Sequence, residues 1–311
     1  MRFRVVIPRL AAALILSAVC VAFPAGCAIS RPVEKPSELP AAPSVEPAPM
    51  PIRVGQFSGT WHDWRPIFKG IEYSWAEAQG PRPLKVHAVR IDLLEPTISF
   101  FATPSNGDAP LETSSMFTST FLVKYGCQIA VNASPFNPVV PLEGRPQDVL
   151  GVSVSQGDAF SREQDGYGAV LITRDNKVKI GIPPFDLSGV WNAVGGFGLL
   201  LKDGLNVGDG GAIHPRTAIG LTRDERYFII LVTDGRQQGY SEGTTTAETA
   251  DWLAALGAWQ ALNLDGGGST ALVISDCRGG WKTLNRPINM NIPGMQRAVA
   301  NHLGVRAAAL E

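Results

Sequence analysis

The 311-residue chain carries 27 Lys and Arg against 28 Asp and Glu, a formal net charge of −1. With no basic run to neutralise a phosphate backbone, nucleic acid is excluded as a partner class. At 45% hydrophobic residues, the length supports one large domain with a full core once the N-terminal segments are set aside.

Arg2, Arg4 and Arg9 precede an apolar stretch from Leu10 to Phe23, so residues 1–27 read as a secretory signal peptide. The stretch is short for a membrane span. Ala25-Gly26-Cys27 resembles the end of a bacterial lipoprotein signal, which makes Cys27 a lipidation candidate and a membrane anchor an expectation. Pro24 stands where such signals usually carry leucine; cleavage without lipidation is one alternative and a retained membrane anchor a third. Prolines at 32, 36, 40, 43, 47, 49 and 51 make residues 28–51 an extended tether. The expected location is therefore outside the cytoplasm, in the periplasm or on the outer membrane. Residues 52–311 form the folded domain.

Within that domain Val86 to Leu93 alternates partly, and Thr97 to Ala102 follows Pro96, so the two read as a hairpin. The spacing predicts a helix between Glu112 and Tyr125. Gln128–Val131, Val149–Val154, Ala169–Thr173, Val178–Ile180 and Phe197–Leu201 read as strands. Thr217–Leu221 and Tyr227–Val232 form a further hairpin around Thr222–Arg226. A second helix runs from about Thr246 to Gly257, opened by a capping box of Thr245 and Glu248. Ala261, Leu262 and Leu264 make a last short buried strand. The fold class is α+β: a strand-rich single domain of mixed or antiparallel sheets with a few packed helices.

Cys127 and Cys277 are the cysteines left outside the leader. In an exported chain they would form one disulfide, with an upper stabilisation of about 5 kcal/mol from loop closure; two buried thiols are the other arrangement. No zinc-type spacing is present.

Four segments place polar groups where packing alone does not ask for them. They are Asn132-Ala133-Ser134-Pro135-Phe136, His214-Pro215-Arg216-Thr217, Asp234-Gly235-Arg236 continuing to Tyr240-Ser241-Glu242, and Asn263-Leu264-Asp265-Gly266-Gly267-Gly268-Ser269-Thr270. Each adjoins a strand, so one rim of a sheet can gather them. Glycines let backbone N–H groups approach a ligand closely. A nucleotide loop is a weaker reading, because no Gly-Lys-Ser/Thr ending follows the glycines.

Three of these segments, in this order, resemble the phosphodiester glycosidase family over roughly Val86 to Val305, with a family-like ending at Ala298 to Val305. The family includes an enzyme that removes N-acetylglucosamine from phosphodiester-linked mannose and bacterial proteins tied to exopolysaccharide metabolism. Asn132 and Phe136 fit its pattern, whereas Ala133-Ser134 replaces a pair of glycines. The resemblance implies a hydrolase acting on a carbohydrate or sugar-phosphate substrate, and a disulfide near Cys127 and Cys277.

A phosphate monoester leaves as an anion without a strong general acid, since its second pKa is near 6. A cation at the leaving oxygens matters more, which points to Arg216 first and Arg236 second. Asp265 is the expected nucleophile or base, with Asp234 as partner and Glu242 as a further acid. Asn132, Thr217, Asn301, Ser269 and glycines 266, 267 and 268 are expected to contact substrate. No cofactor is required, although a divalent ion bridging Asp265 or Asp234 to phosphate stays open. Each has a plainer reading: Asp234-Gly235 as a simple turn, Arg216 as an ion-pair partner, Glu242 as a helix cap. The rival to the enzyme is a non-catalytic envelope lipoprotein that binds polysaccharide through the same cleft.

Overall fold

The computed structural model describes residues 48–276 and 278–310. The leader, Cys27, most of the tether and Cys277 lie outside the described residues. The described residues fall within one compact unit.

A nine-stranded sheet organises this unit, in the order Met50–Val54, Phe57–Phe68, Ile71–Gly80, Leu84–Asp92, Tyr227–Thr233, Arg216–Thr222, Ala258–Asn263, Leu199–Lys202, Leu205–Asn206. Each neighbouring pair is antiparallel. Its central strands are covered on both faces, which is why Phe228-Ile229-Ile230-Leu231-Val232 is a continuous apolar run. Side chains alternate across a strand. Phe228, Ile230 and Val232 enter the main core, while Ile229 and Leu231 pack beneath the Thr246–Ala255 helix with Trp252 and Leu253. Main-core partners come from two five-stranded sheets. One is centred on Ile129–Asn132, between Leu272–Ser275 and His302–Arg306; the other is centred on Val190–Gly196.

Among the described residues there are 24 strands and two α-helices, so the fold is mostly β and the α+β expectation is corrected. Helical periodicity is sustained only over Thr118–Tyr125 and Thr246–Ala255. The second has the full capping box, Glu248 N–H donating to the Thr245 hydroxyl and Thr245 N–H to the Glu248 carboxylate.

Several local readings also change. Ser99–Ala102 does not fold back on Leu84–Asp92; it pairs with His302–Arg306 in another sheet. Consecutive turns closed by Glu95 N–H to Asp92 O and Ile98 N–H to Glu95 O redirect the chain. The stretch from Val149 to Val154 splits at Gly151, whose φ of 86° belongs to the left-handed region, into Pro146–Val149 and Ser153–Ser155. Met50 and Pro51, assigned to the tether, already pair with Trp61 and Thr60. The long hairpin over Phe57–Gly80 escapes sequence reading because His62, Asp63 and Arg65 interrupt its apolar alternation.

The expected disulfide is corrected as well. Cys127 is a free, buried thiol packed with Phe101, Phe121, Leu122, Ala130 and Val273. Burial pushes it up to about 11, so it behaves as a small core hydrophobe.

Candidate active site

Sheet register assembles the site. Arg216 pairs with Thr233 and Ala218 with Asn263, so the start of one strand meets the ends of its two neighbours at a single rim. The Asp265 turn, the Asp234–Arg236 loop and the His214–Arg216 entry segment all leave from that rim. They border a cavity of about 900 Å³, near the upper end of the roughly 300–1,000 Å³ usual for small-ligand sites.

Asp265, Arg216, Arg236, Gly266, Gly267 and Gly268 line it, together with His214, Asn263, Asp209 and Arg297. None of the three arginines is within ion-pair distance of a carboxylate among the described residues. Arg216 is instead held by carbonyls, donating from Nε to Thr244 O at 3.0 Å and from Nη2 to Ala212 O at 2.5 Å. Arg297 donates to Asn289 Oδ1 at 3.2 Å and to Ser269 Oγ at 3.3 Å. Carbonyls and hydroxyls fix these guanidinium groups without neutralising them, so a positive field remains in the cavity.

Arg236 sits at φ 58°, left-handed backbone that non-glycine residues seldom adopt. Its N–H donates to Glu242 O, and the Gln237–Ser241 bridge closes the loop behind it. Its Nη2 lies 3.3 Å from His214 Nδ1. A guanidinium has no acceptor, so Nδ1 must accept and the imidazole proton resides on Nε2. Burial, then Arg236 and Arg216, hold the His214 pKa below its ordinary value, leaving the ring neutral at pH 7.

Asp265 is part-buried. Loss of water pushes its carboxyl up to about 6; a hydrogen bond from Ser269, then the charge of Arg297, the Gly266 N–H and Arg236 oppose that rise. The glycines serve this arrangement differently from expectation. A Cβ on Gly267, itself at φ 61°, would lie 3.0 Å from Arg236 Nη2, and one on Gly268 would collide with Arg297. They make room for guanidinium groups. The N–H groups of the turn are largely spent inside the protein: Gly267 on Pro215 O, Ser269 on Gly266 O, Thr270 on Gly267 O.

Six expected residues do not line the cavity. Asp234 is 1% exposed; its Oδ1 accepts from Asn285 Nδ2 and Arg286 N at 3.0 Å each, and its Oδ2 from Tyr240 Oη at 3.2 Å. That carboxylate ties loops together, so its placement beside Asp265 is corrected. Glu242 contributes its backbone, and the helix cap belongs to Thr245 and Glu248. Asn132 is fully buried, donating to Asp265 O at 2.6 Å while accepting from Thr217 Oγ1 and Ala271 N. It and Thr217 anchor the Asp265 turn from behind. Ser269 bridges Arg297 and Asp265. Asn301 Oδ1 accepts from Ser134 Oγ, which itself accepts from Gly195 N. A serine hydroxyl thus shapes the turn that lacks the usual glycines.

Arg297 was not foreseen. Its only sequence signal is a lone cation directly before the buried Ala298-Val299-Ala300 run. Asn263, whose Oδ1 has no hydrogen-bond partner, opens the Asp265 stretch and lines the cavity. Among the described residues no cluster of three or more His, Cys, Asp or Glu side chains is arranged to hold a metal, and no helix is long and apolar enough to cross a membrane. Trp61, Trp64, Trp75, Trp191 and Trp259 stand apart from the cavity; Trp75 is stacked between His62 and Tyr73.

Residues 125–306 match the phosphodiester glycosidase family. The chain belongs to that family. The family match begins after the first four strands of the large sheet, so residues 48–124 extend the domain beyond it. No curated protein matches the chain. Among solved structures, a hypothetical protein from Synechocystis superposes with a TM-score of 0.60 at 19% identity, covering 79% of this chain and 64% of its own. This chain therefore spans less than two thirds of that protein. The catalytic domain of zebrafish N-acetylglucosamine-1-phosphodiester alpha-N-acetylglucosaminidase, auto-inhibited by its pro-peptide, superposes with a TM-score of 0.60 at 18% identity, covering 78% of this chain and 84% of its own. At such identities the likeness shows a shared fold.

Proposed function

We propose that this phosphodiester glycosidase family member hydrolyses a sugar-1-phosphate diester. One observation carries the reading: three guanidinium groups that form no direct ion pair and one carboxyl with a pKa of about 6 border a single cavity. Arg216, Arg236 and Arg297 hold the phosphate and stabilise the charge it gains as the C1–O bond breaks. The bond electrons leave with the phosphate monoester. Asp265, ionised above pH 6, either attacks C1 or takes a proton from the water that does; water supplies the hydroxyl in both cases. Retained configuration at C1 marks the covalent route, and inversion marks the base. The arginines supply the charge a divalent ion would bring, so activity is expected to survive chelation.

An exported envelope protein acting on exopolysaccharide or related glycans is the setting this reading favours, supported by the character of residues 1–51. The withdrawal of Asp234 favours one rival, a polysaccharide-binding protein without turnover, because it leaves Asp265 without a second buried carboxylate in the cavity. Release of N-acetylglucosamine from a synthetic sugar-1-phosphate diester, compared between wild type and Asp265→Asn, decides between them. Turnover lost in the variant supports the enzyme; binding without turnover in either protein supports the rival.

A further inference from the structure

The cavity lining is chemically mixed. Besides the arginines it includes Ile182, Phe197 and Val207, exposed by 59%, 38% and 47%. Single exposed apolar residues are ordinary on protein surfaces, whereas several gathered at one concave site mark a binding surface. These three come from separate places in the chain: after the Val178–Gly181 strand, after Val190–Gly196, and after Leu205–Asn206. Two are pinned by backbone hydrogen bonds, Phe197 N–H to Asn263 O at 2.7 Å and Val207 N–H to Leu200 O at 2.9 Å. The first ties the apolar wall to a residue two positions before Asp265.

We infer that the group esterified to the phosphate, opposite the sugar, is apolar and aliphatic, so that the substrate is an amphiphile with its phosphate on the arginines and its chain on Ile182, Phe197 and Val207. The inference rests on the phosphodiester reading and deepens it. Of the three only Phe197 offers a ring face; Ile182 and Val207 present aliphatic surface alone, which suits a hydrocarbon chain better than sugar hydroxyls. At about 900 Å³ the cavity is near the upper end for a small-ligand site and has room for more than a phosphate and one ring.

Isothermal titration calorimetry of the whole chain with methyl phosphate and octyl phosphate separates the two readings. Octyl phosphate is expected to bind at least about tenfold more tightly, which burial of roughly two methylenes provides, with a more negative heat-capacity change. In the double variant Ile182→Ser, Val207→Ser the affinity ratio is expected to fall within about twofold. Both positions are exposed, and the circular-dichroism melt of the variant should match wild type. Equal affinities in wild type, or a ratio that persists in the double variant, overturn the apolar wall and leave the phosphate site standing. If methyl phosphate fails to bind, or binds equally to Arg236→Gln, the phosphodiester reading falls and the amphiphile falls with it.

Discussion

Asp234-Gly235 and Asp265-Gly266 are the same dipeptide at the ends of two strands in one sheet, yet their surroundings are opposite. Asp234 has its oxygens occupied by Asn285, Arg286 and Tyr240 and is closed to solvent. Asp265 lines the cavity, and loss of water pushes its carboxyl up to about 6. A saturated carboxylate stabilises loops; an under-solvated one beside guanidinium groups is chemically poised. The contrast teaches that an acid before glycine says where the chain turns, and its hydrogen-bond partners say what the acid does.

The largest effect that breaks or upholds this contrast is on turnover. Asp265→Asn is expected to lower kcat/KM on a sugar-1-phosphate diester by about 10³-fold or more, in line with loss of a central transition-state contact. A variant with wild-type turnover would show that the two turns do not differ in function. Next come Arg236→Gln and Arg297→Gln, each expected to cost about 10²-fold in kcat/KM, with inorganic phosphate losing its inhibition in parallel.

Asp234→Ala tests the other side. It leaves the buried Asn285 Nδ2 and the part-buried Arg286 N–H and Tyr240 Oη without their acceptor and should cost about 3 kcal/mol in urea unfolding. Activity per folded molecule should change far less than in Asp265→Asn. A smaller comparison concerns pH. Protonation of Asp265 below its value of about 6 should lower kcat/KM tenfold for each further fall of one pH unit, and this limb should vanish in Asp265→Asn.

The same carboxyl has a signature in stability. Its folded pKa lies above the usual 3.8, so the folded protein binds this proton more tightly than the unfolded chain. Its contribution to stability is present below about pH 4 and is lost as pH rises through 6. Asp265→Asn should therefore be more stable than wild type at pH 7, by on the order of 3 kcal/mol, with little gain at pH 4. Paired melts at the two pH values read this directly.

Much of this molecule was legible in the chain. The capping box at Thr245 and Glu248, the Arg216–Thr222 and Tyr227–Thr233 hairpin, and the family resemblance depend on local spacing, and local spacing survives folding. Asp265, Arg216, Arg236 and the three glycines were marked by residue type beside a strand end, and the cavity gathers them. What the tertiary structure alone decided was partnership. Whether Asn132 faces a sugar or the back of the Asp265 turn depends on strands more than a hundred residues apart in sequence. Cys127 became a core thiol because Phe101, Phe121 and Leu122 surround it. Arg297 joined the site because Gly268 leaves room for its guanidinium. Residue types set which chemistry the chain can offer, whereas desolvation and hydrogen-bond saturation depend on what long-range packing places around each group.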